Sequence, residues 1–172
     1  MENLFDLWKE NIPKYSENFR PLFETVAKKG SLGGDQKALG KHFDTNYEFY
    51  IFGFFYGLYM NEYLELKNVS IASFGQHIKF WGNKNSPLRK DFSDLQGYIF
   101  AALIAKTEIN FIALEKGELD PKDVVKMLMN TFEGYTNGGL TLINEKMRNS
   151  PNYFLQSAAF LNLIAEIKGV NE

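Results

Sequence analysis

The chain has 172 residues, a net charge of −2 at pH 7 and no cysteine. Its length fits a single domain, residues 1–172, with a substantial core. The missing cysteines exclude disulfides and thiolate metal sites, and the near-zero charge gives no field that selects nucleic acid or an anionic membrane. The first residues show no basic segment followed by an apolar run, so we predict a cytoplasmic protein.

The first forty residues are predicted to form helix and then loop. Residues 3–29 carry apolar side chains at helical spacing, interrupted by two prolines. Residues 30–40 hold several glycines and are predicted to be a flexible connection. A phosphate-binding loop is not indicated, because Gly40-Lys41 is followed by His42 where Ser or Thr is required.

An aromatic-rich helix is predicted at about residues 42–66. Its uncharged middle, Phe49–Met60, is shorter than the about 20 apolar residues that a membrane span needs, so we predict a buried helix at the centre of the fold. One side carries aromatic residues, which we expect in the core: Phe52, Phe55 and Tyr59. The other side carries Gly53 and Gly57, one turn apart. We predict that these glycines form a notch for a neighbouring helix, with Gly134 and Gly138 as its partners.

The segment that follows combines cations with aromatic rings. Residues 66–90 contain no acidic residue, and residues 70–81 are predicted to form a short helix before a turn-rich loop. Cations beside stacking rings suit single-stranded nucleic acid or an acidic partner surface. The candidate binding residues are Lys79, Phe80, Trp81, Lys84, Arg89 and Lys90.

Three further helices are predicted in the remaining half of the chain. The first covers residues 91–116. The second begins at Pro121 and either kinks or breaks near its glycines, restarting at about residue 140. The third follows Pro151 and ends at Gly169. No stretch alternates with period two, so we predict an all-α bundle of about five to seven helices.

The sequence carries no catalytic signature. It has two histidines and no Gly-x-Ser-x-Gly motif, and His42 and His77 are interpreted as helix-end or surface residues. His42, Asp44 and Glu48 resemble a ligand cluster, but capping explains three polar residues at a helix start. The acidic residues in apolar helices (Glu48, Glu62 and Glu108) form an acid/base pair if two of them meet in the interior, and we favour solvated helix edges. We therefore predict no metal, no cofactor and no catalytic residue.

Three functions remain open. The leading prediction is a non-catalytic helical interaction or assembly protein, a homo-oligomer or an accessory subunit, whose partner is itself or another protein and not a membrane. The alternative is a nucleic-acid-binding accessory protein that uses the basic and aromatic segment 66–90. The third is a small-molecule binder or enzyme with an aromatic-lined pocket formed by Tyr47, Tyr50, Phe54 and Tyr59.

Overall fold

A computed structural model describes residues 3–27, 42–82 and 93–170, with backbone alone for 168–170. These residues are mostly helical, which confirms the helical class. The α-helices are α1 Leu4–Lys9, α2 Arg20–Val26, α3 Asn46–Met60, α4 Asp94–Lys106, α5 Phe111–Glu115, α6 Pro121–Asn149 and α7 Ala159–Val170. Short 3₁₀ turns cover Glu17–Phe19, Ile78–Phe80 and Pro151–Leu155.

One small sheet departs from the all-α prediction. Strands β1, Lys14–Ser16, and β2, Ile71–Ser73, pair with each other. Just beyond the strands, the backbone N–H of Glu17 donates to the carbonyl of Ser70 at 2.8 Å. The predicted helix at 70–81 was therefore wrong, since its first residues are β2 and only a 3₁₀ turn lies near its end. Strands of three residues are too short for a period-two pattern to stand out in a sequence.

The chain folds into two compact units. Met1–Lys14 and Ser73–Glu133 form the first unit, and Tyr15–Ala72 and Gly134–Glu172 form the second. The residues of α6 are divided between the two units, after Glu133. The single domain expected for residues 1–172 stays a prediction.

The core of the first unit is built on two tryptophans. Trp8 packs against Phe132 with ring centroids 6.0 Å apart, and Trp81 packs against the same ring at 6.2 Å. Gln96 is buried and donates a 2.6 Å hydrogen bond to the carbonyl of Trp81. Burial of such large rings supplies much of the driving force for folding.

The core of the second unit is centred on Phe160 of α7. Its ring contacts Phe49 and Phe52 of α3 at 5.8 and 5.1 Å, and Phe43 and Phe154 at 4.8 and 5.2 Å. Most of these pairs meet edge to face, the geometry that aromatic quadrupoles favour. These aromatic residues thus pack against one another in the core of this unit.

Helix α3 is shorter than the predicted 42–66. It begins after Thr45, whose Oγ1 accepts from the Glu48 N–H at 3.3 Å while the Glu48 carboxylate accepts from the Thr45 N–H at 3.1 Å. It ends at Met60, and the next residue, Asn61, adopts a left-handed conformation with φ of 52°. The prediction that the aromatic side of this helix lies in the core was wrong for Tyr59, which is 69% exposed, whereas Phe52 and Phe55 are half-buried.

Helix boundaries elsewhere differ from the sequence prediction. The expected helix over 91–116 is two helices, α4 and α5, separated at Thr107, where the backbone turns extended. Helix α6 neither breaks nor restarts at its glycines. Helix α7 begins at Ala159, after a 3₁₀ turn that starts at Pro151, and continues past Gly169. Propensity alone misplaces such boundaries because tertiary contacts override it.

Candidate functional site

The basic segment is only partly within the described residues. Lys84, Arg89 and Lys90 lie outside them. Trp81 is 2% exposed and cannot stack on a base, whereas Phe80 is 43% exposed. The Lys79 ammonium forms an ion pair with Glu10 at 2.6 Å and lies 5.2 Å from the Phe80 ring centroid. The described part of the segment thus offers one open ring beside a compensated charge, and nucleic-acid binding stays a prediction.

The four residues of the predicted aromatic pocket do not share one open wall. Tyr47, Tyr50 and Phe54 are buried, while Tyr59, on the same helix, is largely exposed. A ligand that reached Tyr59 from solvent would therefore not meet the other three side chains without displacing core residues.

The glycines of the predicted notch lie where α3 and the chain after it meet α6. A Cβ on Gly57 would overlap the carbonyl oxygen of Tyr135 and lie 2.8 Å from the Gly139 nitrogen. A Cβ on Gly134 would overlap the Tyr63 ring, and one on Gly138 would overlap the Glu62 carbonyl. A Cβ on Gly53 would meet only the Leu140 side chain, at 3.1 Å. Glycine at these positions permits approach that a side chain would prevent.

The two histidines and the three acidic residues have structural partners or solvent around them. His42 Nε2 donates to the Phe154 carbonyl at 2.7 Å, and His77 Nδ1 lies 2.5 Å from the Glu10 carbonyl. Glu48 completes the capping box of α3, Glu62 is half-buried and Glu108 is exposed. Within residues 3–27, 42–82 and 93–170, no three His, Cys, Asp or Glu side chains are grouped so as to hold a metal ion.

An apolar segment, residues 59–71, lies exposed in the second unit. It runs from the end of α3 through irregular backbone into β2. Six of its large apolar side chains are exposed: Tyr59, Met60, Tyr63, Leu64, Val69 and Ile71. The segment is anchored because the Leu64 N–H donates to the Gly134 carbonyl at 3.1 Å and the Tyr63 ring packs against Tyr135 at 5.3 Å. The exposed tyrosine, methionine and aliphatic side chains are interspersed with polar ones, a mixture that is found in interaction surfaces.

A polar cluster also lies in the second unit, on α6, α7 and the turn between them. Glu166 accepts hydrogen bonds from Lys146 and from the Tyr153 hydroxyl, the latter at 3.0 Å. Desolvation and the Glu166 carboxylate raise the pKa of Tyr153 to about 12. The hydrogen bond from Lys146 lowers the pKa of Glu166. The cluster ties α7 to α6, and its members carry no sequence motif that would reveal it.

A cleft of about 470 Å³ opens in the first unit, between α1 with the chain after it and the first half of α6. Its apolar residues are Leu7, Ile12, Val125 and Met129, and its polar residues are Glu10, Asn11, Lys14, Lys122, Lys126, Asn130 and Glu133. One Glu133 oxygen accepts from the Lys14 N–H at 2.9 Å, and burial raises the pKa of this carboxyl group. The sequence prediction missed the cleft, although its α6 residues recur at helical spacing.

No helix in the described part of the chain is long and apolar enough to cross a membrane. The chain matches no family model, no curated protein and no solved structure.

Proposed function

We propose that this protein is a non-catalytic helical interaction protein that forms a homo-oligomer through the apolar segment 59–71. The observation that carries the proposal is the exposure of six large apolar side chains along this one ordered segment. Contiguous apolar patches larger than a few hundred Å² are rare on monomeric proteins and mark interaction sites, and these side chains would form such a patch. Tyrosine and methionine, which the segment contains, are enriched in interface cores.

We prefer a second copy of the chain as the partner of this segment over a strongly charged molecule. The segment itself carries compensating charges, since Lys67 forms an ion pair with Glu65 at 2.5 Å. The net charge of −2 causes little repulsion between copies. Among the residues that the structure describes, the short strand β2 at the end of the segment pairs with β1 alone, and an unpaired strand edge can pair with another chain.

The packing around α3 belongs to the same proposal. A bundle with α3 at its centre is supported by the close backbone approach at Gly57 and Gly139 and by the rings of α3 that meet Phe160. Such an arrangement would hold the end of α3 and the segment after it in a fixed conformation. A preorganised segment loses less conformational entropy on association.

The mass in solution at low micromolar concentration tests the proposal. Light scattering after size exclusion should give a multiple of the 19.8 kDa chain mass. Replacing Tyr59 and Ile71 by serine should shift the mass toward that of one chain. The control is Tyr98→Ser on α4, because Tyr98 is 67% exposed, as Tyr59 is at 69%, but lies outside the segment.

Two results would contradict the proposal. The first is a wild-type mass of one chain across the concentration range, which would rule out the homo-oligomer. The second is an oligomer that Tyr98→Ser dissociates as readily as the segment variant does. The circular dichroism of each variant must match that of the wild type, so that a change in mass does not reflect unfolding.

A further inference from the structure

The cleft between α1 and α6 has the size and composition of a ligand site. Its volume of about 470 Å³ lies within the range of about 300–1,000 Å³ that small-molecule sites occupy. Leu7, Ile12, Val125 and Met129 give it apolar walls, and charged and amide groups surround them. All of its lining residues belong to the first unit.

Some of the polar groups in the cleft are already used within the protein. The Glu10 carboxylate is paired with Lys79 at 2.6 Å. The Asn11 amide donates to the carbonyls of Leu7 and Trp8 at 2.9 and 3.1 Å and so satisfies the end of α1. These groups shape the wall of the cleft and are not the ones that a ligand would engage first.

Other polar groups in the cleft are open to a ligand. Lys122 and Lys126 form no ion pair with any residue that the structure describes, and the Asn130 amide has no hydrogen bond there either. Glu133 is half-buried, and within the described residues one of its oxygens accepts a hydrogen bond, from the Lys14 N–H, while the other accepts none. A half-buried carboxyl group with an open oxygen favours a donor that enters the cleft.

The open charges are separated along one face of α6. Lys122 and Lys126 are one helical turn apart, and Glu133 follows Lys126 by seven residues, two turns on. At 1.5 Å per residue, about 10 Å of helix separates the Lys126 position from Glu133. Met129 and Asn130 lie between them, so the cleft has two lysines at one end, a carboxyl group beside Lys14 at the other and a partly apolar middle.

We propose that this cleft binds a small linear organic zwitterion, with its anionic group at Lys122 and Lys126 and its ammonium group at Glu133. The apolar middle of such a molecule covers Val125 and Met129. Each end forms a charge-assisted hydrogen bond, and the spacing of the two ends selects the length of the molecule. The inference is independent of self-association through segment 59–71, which lies in the other unit.

The probe is 6-aminohexanoate, whose two charged groups are joined by a flexible apolar chain. Hexanoate lacks the ammonium group, hexylamine lacks the carboxylate, and glycine carries both charges too close together to bridge the cleft. Titration followed by ¹⁵N–¹H NMR measures affinity and position together. We expect 6-aminohexanoate to bind about tenfold more tightly than each of the other three, since each charge-assisted bond contributes on this scale. The Asn130 side-chain amide should shift during the titration.

Matched substitutions locate the site. Lys126→Gln and Glu133→Gln should each weaken binding by about tenfold, and Gln at 133 keeps an acceptor for the Lys14 N–H. Lys106→Gln and Glu118→Gln remove the same charges outside the cleft and should leave the affinity unchanged. Equal binding of 6-aminohexanoate, hexanoate and hexylamine, loss of affinity in the control variants, or no shift up to about 20 mM probe would overturn the proposal.

Discussion

Replacement of Gly57 by alanine should destabilise the protein although alanine is the better helix former. The added Cβ would overlap the Tyr135 carbonyl oxygen and lie 2.8 Å from the Gly139 nitrogen and 3.0 Å from the Tyr135 carbonyl carbon. All three atoms belong to the backbone of α6, so no rotamer change can make room. The two helices must move apart, and the packing along their contact is lost.

Gly57→Ala has two opposing effects on stability, a gain in helix propensity and a loss from overpacking. Alanine in place of glycine favours a helix by about 1 kcal/mol, whereas overpacking of a close contact costs about 1–3 kcal/mol and occasionally more. Because the overlap is with backbone, the upper part of that range applies. We expect a net loss of about 2 kcal/mol in the free energy of unfolding.

Two other glycines make the test internally controlled. A Cβ on Gly97 of α4 meets nothing within 4 Å, so Gly97→Ala should raise stability by about 0.5–1 kcal/mol. A Cβ on Gly53 meets the end of the Leu140 side chain at 3.1 Å, which can yield. The stability of Gly53→Ala should therefore lie between those of Gly57→Ala and Gly97→Ala.

Urea unfolding followed by circular dichroism at 222 nm measures the three variants against the wild type. With a slope of about 2 kcal/mol per molar urea, the Gly57→Ala midpoint should fall by about 1 M. The Gly97→Ala midpoint should rise. A Gly57→Ala midpoint equal to or above that of the wild type would refute the reasoning that backbone contact, and not helix propensity, decides this position.

Three further substitutions test local features. Thr45→Ala removes the Oγ1 acceptor of the α3 capping box and should lower the free energy of unfolding by about 1 kcal/mol. Thr45→Ser keeps the acceptor and should not. Equal urea midpoints for the two variants would contradict the capping role. Burial raises the pKa of Glu133, so the folded state binds the carboxyl proton more tightly than the unfolded chain does. The free energy of unfolding therefore falls as the pH rises from the unfolded-state pKa of Glu133 to its folded-state pKa. Glu133→Gln should flatten that fall in thermal unfolding across this window, and an unchanged slope would argue against it. The pKa of Glu166 is lower in the folded state than in the unfolded chain. The resulting stability is present above the unfolded-state pKa and is lost as the pH falls through the folded-state pKa. Glu166→Gln should remove this acid-side loss of stability.

The helical class could be read from the sequence because it depends on local chemistry. Apolar side chains recur at helical spacing, and Pro121 and Pro151 mark starts that the structure also has, of α6 and of a 3₁₀ turn. The capping box at Thr45 and Glu48 was present in the sequence and would have corrected the start of α3. The three-residue strands gave no comparable signal, because a pattern needs more residues than they have.

Side-chain surroundings depended on residues distant in the sequence. Trp81 lies within the basic segment 66–90 and was predicted to contact a ligand, but packing against Phe132 buries it. The α6 glycines looked like a break, but their neighbours are Glu62, Tyr63 and the backbone of α3, which only glycine can admit so closely. The cleft needs α1 and α6, which are separated by more than a hundred residues.

The sequence by itself thus determined that the chain is helical, lacks thiol chemistry and is rich in aromatic rings for packing. Hydrophobic period, proline and capping residues act within a few residues of each other, so a single segment carries that information. The tertiary structure decided which rings are buried, which glycines make contacts and which charges line one cleft. Those properties are set by long-range packing, in which each side chain's environment is supplied by another part of the chain.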